Sequence, residues 1–170
     1  MSGLEVGNDP LGRPGMSSNV IQWDESKRRK DKITFVGIAK NEAEALPRLI
    51  PSLKGFADRI VIVETKNSTD DTVQVAKDLG AEVIQMDWPK PTDYGEARNM
   101  AIRHAMAKCM TKKAKGDWIA MFDVDEILIN GEKVRAALEQ APESVHLASL
   151  EHWTAAGHQF PRACIFRPGK

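Results

Sequence analysis

The chain is 170 residues long, sets 24 Lys and Arg against 24 Asp and Glu, and is 42% hydrophobic and 28% charged. That length suits one domain, and the composition excludes a disordered polyelectrolyte and a chain built around a membrane span. A formal net charge of zero provides no global field to attract DNA or RNA, so no nucleic-acid partner is expected.

Residues 1–32 carry Gly, Pro, Asn and Ser without periodicity and close on Lys27-Arg28-Arg29-Lys30-Asp31-Lys32, which reads as a flexible N-terminal tail. The first residues lack the apolar core of a secretory signal. The longest apolar runs, such as Ile60-Val61-Ile62-Val63, fall far short of the roughly 20 residues that cross a bilayer. A cytoplasmic location is expected. The basic run is read as a solvated lead-in to the first strand, with peripheral association at an anionic membrane surface as the alternative. Cys109 and Cys164 stand far apart with no CxxC or Cys/His spacing, so two reduced thiols are expected rather than a disulfide or a structural zinc site.

From Ile33 the pattern changes. Ile33-Thr34-Phe35-Val36-Gly37-Ile38-Ala39 is a nearly continuous apolar run rich in β-branched residues, as in a strand covered on both faces. Ala45, Leu46, Leu49, Ile50 and Leu53 then recur at helical spacing, with Pro47 near the helix start and Gly55 as the stop. Arg59 to Thr65 repeats the strand pattern. Ser68-Thr69-Asp70-Asp71 offers N-cap chemistry for a helix that runs to Leu79 and ends at Gly80, and Glu82 to Met86 is a third short strand. Pro89 and Pro91 mark a loop, and a long helix is predicted from Gly95 to about Lys113. Asp117 to Phe122 is a fourth strand, Lys133 to Gln140 a short helix, and strands are expected near Ser144 to Glu151 and Phe160 to Phe166. Strands alternating with helices through tight links imply parallel βαβ units, and so a three-layer α/β/α domain with a mostly parallel central sheet over residues 33–170.

Ligands of open α/β sheets bind beyond the carboxyl ends of the strands, and here those positions are polar. The first strand leads into Lys40-Asn41-Glu42, the second into Glu64 with Lys66 and Asn67, and the fourth into Asp123, Asp125 and Glu126. On extended backbone, residues at i and i+2 point the same way, so Asp123 and Asp125 are expected to converge. Such a pair repels itself unless one carboxyl is protonated or a cation intervenes. All-oxygen ligation suits Mg²⁺ or Mn²⁺, completed by substrate phosphates.

In order and spacing, these pieces resemble a family 2 glycosyltransferase with the Rossmann-like GT-A fold. The matching segments are Ile38-Ala39-Lys40-Asn41-Glu42, Ile60 to Thr65 with Ser68-Thr69-Asp70-Asp71-Thr72, Ala97-Arg98-Asn99, and Gly116-Asp117-Trp118 leading to Asp123-Val124-Asp125-Glu126. The resemblance implies an enzyme that moves a sugar from a nucleoside diphosphate sugar to an acceptor hydroxyl on a glycan, lipid-linked glycan or protein, with inversion. It implies that Ala39, Lys40, Asn41 and Glu42 lie near the nucleoside, that Glu64 contacts base or ribose, and that Arg98 borders the donor. It further implies that Asp123 and Asp125 hold a divalent ion on the diphosphate. Two departures stand out. Lys66-Asn67 replaces the family's Gly-containing turn and makes it one residue longer. The family also normally continues into an acceptor-binding region, so this chain is expected to be C-terminally short.

Glu151 is the candidate general base, chosen over His152 and His158 by position and residue type, and Trp153 is a candidate for stacking on the acceptor. The competing reading is a non-catalytic nucleotide-sugar-binding module, or a fragment completed by a missing half. Phe122 to Leu128 is also similar to the haloacid dehalogenase-type phosphatase motif, but no Asp follows Asp125 to supply that chemistry. A dinucleotide site is disfavoured because no G-x-G-x-x-G follows the first strand. Asn67-Ser68-Thr69 matches a glycosylation acceptor pattern and is read instead as part of a helix cap.

Overall fold

A computed structural model describes residues 32–87, 94–109, 117–154 and 156–167. The expected tail, the loop at 88–93 and the end of the long helix lie outside these residues. In chain order the elements are β1 (Ile33–Ala39), α1 (Leu46–Ser52), β2 (Arg59–Glu64), α2 (Thr72–Asp78), β3 (Glu82–Gln85) and α3 (Tyr94–Cys109). They continue with β4 (Trp118–Ala120), α4 (Gly131–Gln140), β5 (Leu147–Trp153) and β6 (Gln159–Phe166).

The described strands form one six-stranded sheet in the order β3-β2-β1-β4-β6-β5. The first four in the chain run parallel to one another, as the intervening helices require. β6 instead runs antiparallel to both β4 and β5. Between β5 and β6 the chain has room only for a tight reversal, in which Gly157 takes a φ of +80° and its N–H donates to the Thr154 carbonyl at 2.9 Å. Pro161 does not interrupt β6. It pairs with Glu151 at a level where β4 is no longer alongside, so its missing N–H removes no bond to that strand.

Successive strand residues feed two separate cores, as a doubly covered sheet demands. Phe35, Ile62, Trp118, Ala120 and Ile165 face one side and pack with Leu46, Leu49, Ala76 and Leu138 from α1, α2 and α4. Val36, Val61, Val63 and Ile119 face the other, beneath Ala97, Ala101 and Ala105 of α3. Those alanines recur every fourth residue, which makes one narrow helix face small enough to lie close to the sheet. The three-layer α/β/α expectation holds.

Local chemistry sets the ends of the elements. Pro47 stands in the first turn of α1, where no intrahelical bond is lost, and Gly55 follows the helix at φ +80°. At α2 the N-cap is Asp71, with no side-chain cap bond; the Thr72 N–H donates to Asp70 Oδ1 at 3.1 Å, and Ser68 Oγ accepts from Asn41 N–H. Cys164 is a buried free thiol, pushed up from its ordinary pKa by burial. Arg167 stacks over the buried Trp118 ring at 4.2 Å and donates to the Pro142 carbonyl at 2.8 Å, tying the end of β6 to β4 and to the lead into β5. No helix among the described residues is long and apolar enough to cross a membrane.

Candidate functional site

The loops that follow β1 and β2 are stitched together by side chains gripping backbone. Asn41 N–H donates to Ser68 Oγ at 3.1 Å, and Thr69 N–H donates to Asn41 Oδ1 at 2.7 Å. Glu42 N–H reaches Thr72 Oγ1 at 2.8 Å, and Ala43 N–H reaches Asp70 Oδ2 at 3.1 Å. Short polar side chains that compete with regular backbone pairing are suited to this work. Asn41 adopts a φ of 56°, which asparagine tolerates best after glycine. Lys66 sits at φ 57°, in the left-handed region that a glycine at that turn would enter freely, and its Nζ is tied to Asp87 Oδ2 at 3.0 Å.

Beyond the carboxyl ends of β1, β2 and β4 lies a cavity of about 630 Å³, lined by Lys40, Glu42, Arg98, Asp123 and Asp125 among others. Five of the residues singled out from the sequence are thus brought together. Asp123 and Asp125 do not converge as neighbours along an extended strand. β4 ends at Ala120, and Val124-Asp125 form a turn closed by Glu126 N–H donating to the Asp123 carbonyl at 3.2 Å. Buried Val124 anchors this turn in the core between the two acids.

Asp123 is held by two guanidinium groups. Arg98 donates to Oδ1 at 2.9 Å, and Arg162 donates to Oδ2 at 3.0 Å. Burial alone would raise the Asp123 pKa; the two arginines outweigh it and hold the carboxyl below the ordinary carboxylate range. Arg162 also donates to Glu126, and His152 Nδ1 lies 3.4 Å from the same Glu126 oxygen. The Glu126 pKa is raised, first by burial and also by repulsion from Asp123. Glu42 is raised as well, by burial and then by the charges of Asp125 and Asp70. Among the described residues no three His, Cys, Asp or Glu side chains group around a point that could hold a cation by themselves.

Other sequence candidates stand elsewhere. Ala39 and Glu64 are register partners at the ends of β1 and β2 and are fully or almost fully buried. Neither Glu64 oxygen is turned to the cavity for a ligand: Oε1 accepts from Ser68 N–H at 3.1 Å and Oε2 from the Gln85 amide at 2.9 Å. Burial pushes its carboxyl up, but these hydrogen bonds prevail and lower its pKa. The neighbouring Thr65 does line the cavity, and its buried Oγ1 has no hydrogen-bond partner among the described residues. Glu151 is exposed on β5 and alternates with Leu150 and His152, so it faces away from the side on which His152 meets Glu126. The structure does not bring Glu151 to the cavity. Trp153 shares its outward face and is 62% exposed.

Arg162, Glu126 and His152 were not assigned as site residues from sequence. Arg162 lies 39 residues beyond Asp123, and only the antiparallel return of β6 beside β4 brings it back. A lone arginine inside the apolar run from Phe160 to Phe166 is the one signal that could have drawn attention to it.

Together these features define an α/β domain of GT-A type, with acids and guanidinium groups gathered in one cavity at the carboxyl ends of its parallel strands. The model of Glycosyl transferase family 2 matches residues 34–163, and the chain belongs to that family. It is 34% identical over 138 residues to a TPR repeat-containing protein of Synechococcus elongatus, covering 80% of this chain and 31% of that one. It is 36% identical over 97 residues to an uncharacterized glycosyltransferase of Rickettsia prowazekii, covering 57% of this chain and 29% of that one. The chain thus spans about 30% of the length of these curated relatives. Among solved structures, 4-diphosphocytidyl-2C-methyl-D-erythritol synthase matches with a TM-score of 0.52 at 15% identity, over 82% of this chain and 76% of that one, a likeness of fold.

Proposed function

We propose that this domain binds a nucleoside diphosphate sugar together with Mn²⁺ or Mg²⁺ and transfers the sugar, with inversion, to an acceptor hydroxyl on a glycan, lipid-linked glycan or protein. The observation that carries the reading is the cavity beyond β1, β2 and β4, where Asp123 and Asp125 share a wall with Arg98 and Lys40. Asp125, with Asp123 beside it, would hold the cation; a bound divalent ion neutralises the charge that develops on the departing diphosphate. Arg98 and Lys40 are placed to receive phosphate oxygens, Arg98 in a charge-assisted pair that strengthens as the leaving group gains charge. The stitched loops after β1 and β2 form a prearranged wall for the nucleoside, with Thr65 and Asn67 lining it in place of the internally bonded Glu64.

The outward placement of Glu151 favours a second reading, a donor-binding module without transfer of its own. One set of titrations separates the two. UDP, GDP, CDP and ADP are titrated into the chain with and without Mn²⁺, followed by assays of donor hydrolysis and transfer. Mn²⁺-dependent affinity with turnover supports the enzyme, and the same affinity without turnover supports the module. No binding of any of the four would sink both. Asp125→Ala is expected to abolish the Mn²⁺-dependent part of the affinity, and an unchanged response to Mn²⁺ would overturn the role given to Asp125.

A further inference from the structure

We infer that Arg162 is a positioning residue that makes cation binding at the Asp123–Glu126 turn conditional on the donor's diphosphate, an inference that rests on the donor-site reading above. Asp123 has two carboxylate oxygens and both are engaged inside the protein, one by Arg98 at 2.9 Å and one by Arg162 at 3.0 Å. A divalent ion arriving alone would meet two positive charges at Asp123 and would have to share its oxygens with two charge-assisted hydrogen bonds. A diphosphate reverses both penalties. It brings oxygen ligands for the ion and offers Arg98 an anion of higher charge than the carboxylate it leaves.

The two arginines are not equivalent. Arg98 comes from α3, lines the cavity, and its side chain is 43% exposed. Arg162 comes from β6, is 30% exposed, and is bound at a second point by Glu126. A planar guanidinium held by two acids at once keeps one orientation, which a single ammonium cannot reproduce. Beyond Glu126, His152 contacts the same oxygen, and its ring packs on Phe160 at 4.9 Å, so the far side of the clamp is braced by β5 and β6. Arg98 is therefore the arm that turns to the donor. Arg162 remains as the fixed counter-charge that orients Asp123.

The test measures Mn²⁺ alone by electron paramagnetic resonance of the free ion, and UDP, GDP, CDP and ADP by calorimetry with and without Mn²⁺, on the full chain and on Arg162→Gln and Arg162→Lys. Coupling is reciprocal, so the gain in nucleotide affinity from Mn²⁺ equals the gain in Mn²⁺ affinity from nucleotide. The unmodified chain is expected to bind Mn²⁺ weakly alone and more tightly with nucleotide. Arg162→Gln should tighten Mn²⁺ alone by roughly three- to tenfold, the effect of removing a unit charge a few ångströms away in partly solvated surroundings, and should shrink the coupling. A side chain that only supports the fold would weaken both ligands instead. Unchanged or weaker Mn²⁺ binding in Arg162→Gln, with a melting temperature near that of the unmodified chain, overturns the inference. If Arg162→Gln does not fold, Arg162→Lys decides, with a smaller change of the same sign expected and none overturning it. Equal Mn²⁺ affinity with and without nucleotide in the unmodified chain overturns the inference and leaves the donor site standing. Absence of any nucleotide binding removes the donor-site reading and the inference with it.

Discussion

Gly37 of β1 lies directly against Val124, the residue between the two acids: a Cβ built on Gly37 would stand 2.7 Å from Val124 Cγ1 and 3.0 Å from a ring carbon of Phe35. The position of the acidic turn is thus set from inside the sheet, by a side chain that is missing. Gly37→Ala would gain strand propensity and still lose stability, because overpacking of a filled core costs about 1–3 kcal/mol. The displaced turn should also weaken Mn²⁺-dependent nucleotide binding. Urea denaturation and nucleotide titration of the variant check both expectations, and native stability with native affinity would show that Val124 does not fix the turn.

Glu64 supports a second expectation, since both of its oxygens accept from donors. In Glu64→Gln one oxygen becomes an NH₂ group, which can face the Gln85 amide if that amide turns its oxygen to it, while the remaining oxygen keeps the Ser68 N–H. Exchanging two charge-assisted hydrogen bonds for neutral ones should cost about 1 kcal/mol in this buried setting. The measurement is the denaturation midpoint. A variant as stable as the parent would mean that Glu64 is not held in the way described, and would return it to the list of ligand contacts.

The acids of the cavity carry opposite signs in pH dependence. Asp123 has a folded-state pKa below its unfolded value of about 4, so its ionised form stabilises the fold above that value and the contribution is lost as the pH falls through the folded value. The melting temperature of Asp123→Asn should therefore lie below that of the parent at neutral pH and approach it only in acid below about pH 4. Glu42 is raised, so its ionised form costs stability at neutral pH, and the cost is relieved as the pH falls through its folded value. Glu42→Gln should melt above the parent at pH 7, with the gap closing in acid; a gap independent of pH would contradict the assigned shifts.

How far the site could be read from the sequence depended on the range of the interactions involved. The β-branched runs, the helical spacing of Leu46 and Leu49, and the polar residues after each strand are local patterns, and they place Lys40, Glu42, Asp123 and Asp125 on one rim; Arg98, on a helix, is reached only through the family resemblance. The early end of β4 is decided by tertiary pairing, because its register with β6 covers Ile119 and Ala120 and is followed by one more bond, from the Met121 N–H to the Cys164 carbonyl, and so the acids lie on a turn instead of a strand. Burial of Glu64 depends on Gln85 across the sheet, a contact that no local pattern encodes. Arg162 needed the reversal at Gly157 and the antiparallel return, which the alternating pattern upstream argued against.

The stitching of the loops after β1 and β2 has a consequence for how the cavity responds to a ligand. A wall whose backbone is already fixed by Ser68, Asp70 and Thr72 loses little conformational freedom when a nucleotide settles on it. The opposite wall is held by ion pairs that must be exchanged. The two sides of the cavity thus differ in kind: one is a backbone template fixed by hydrogen bonds, the other a set of exchangeable ion pairs.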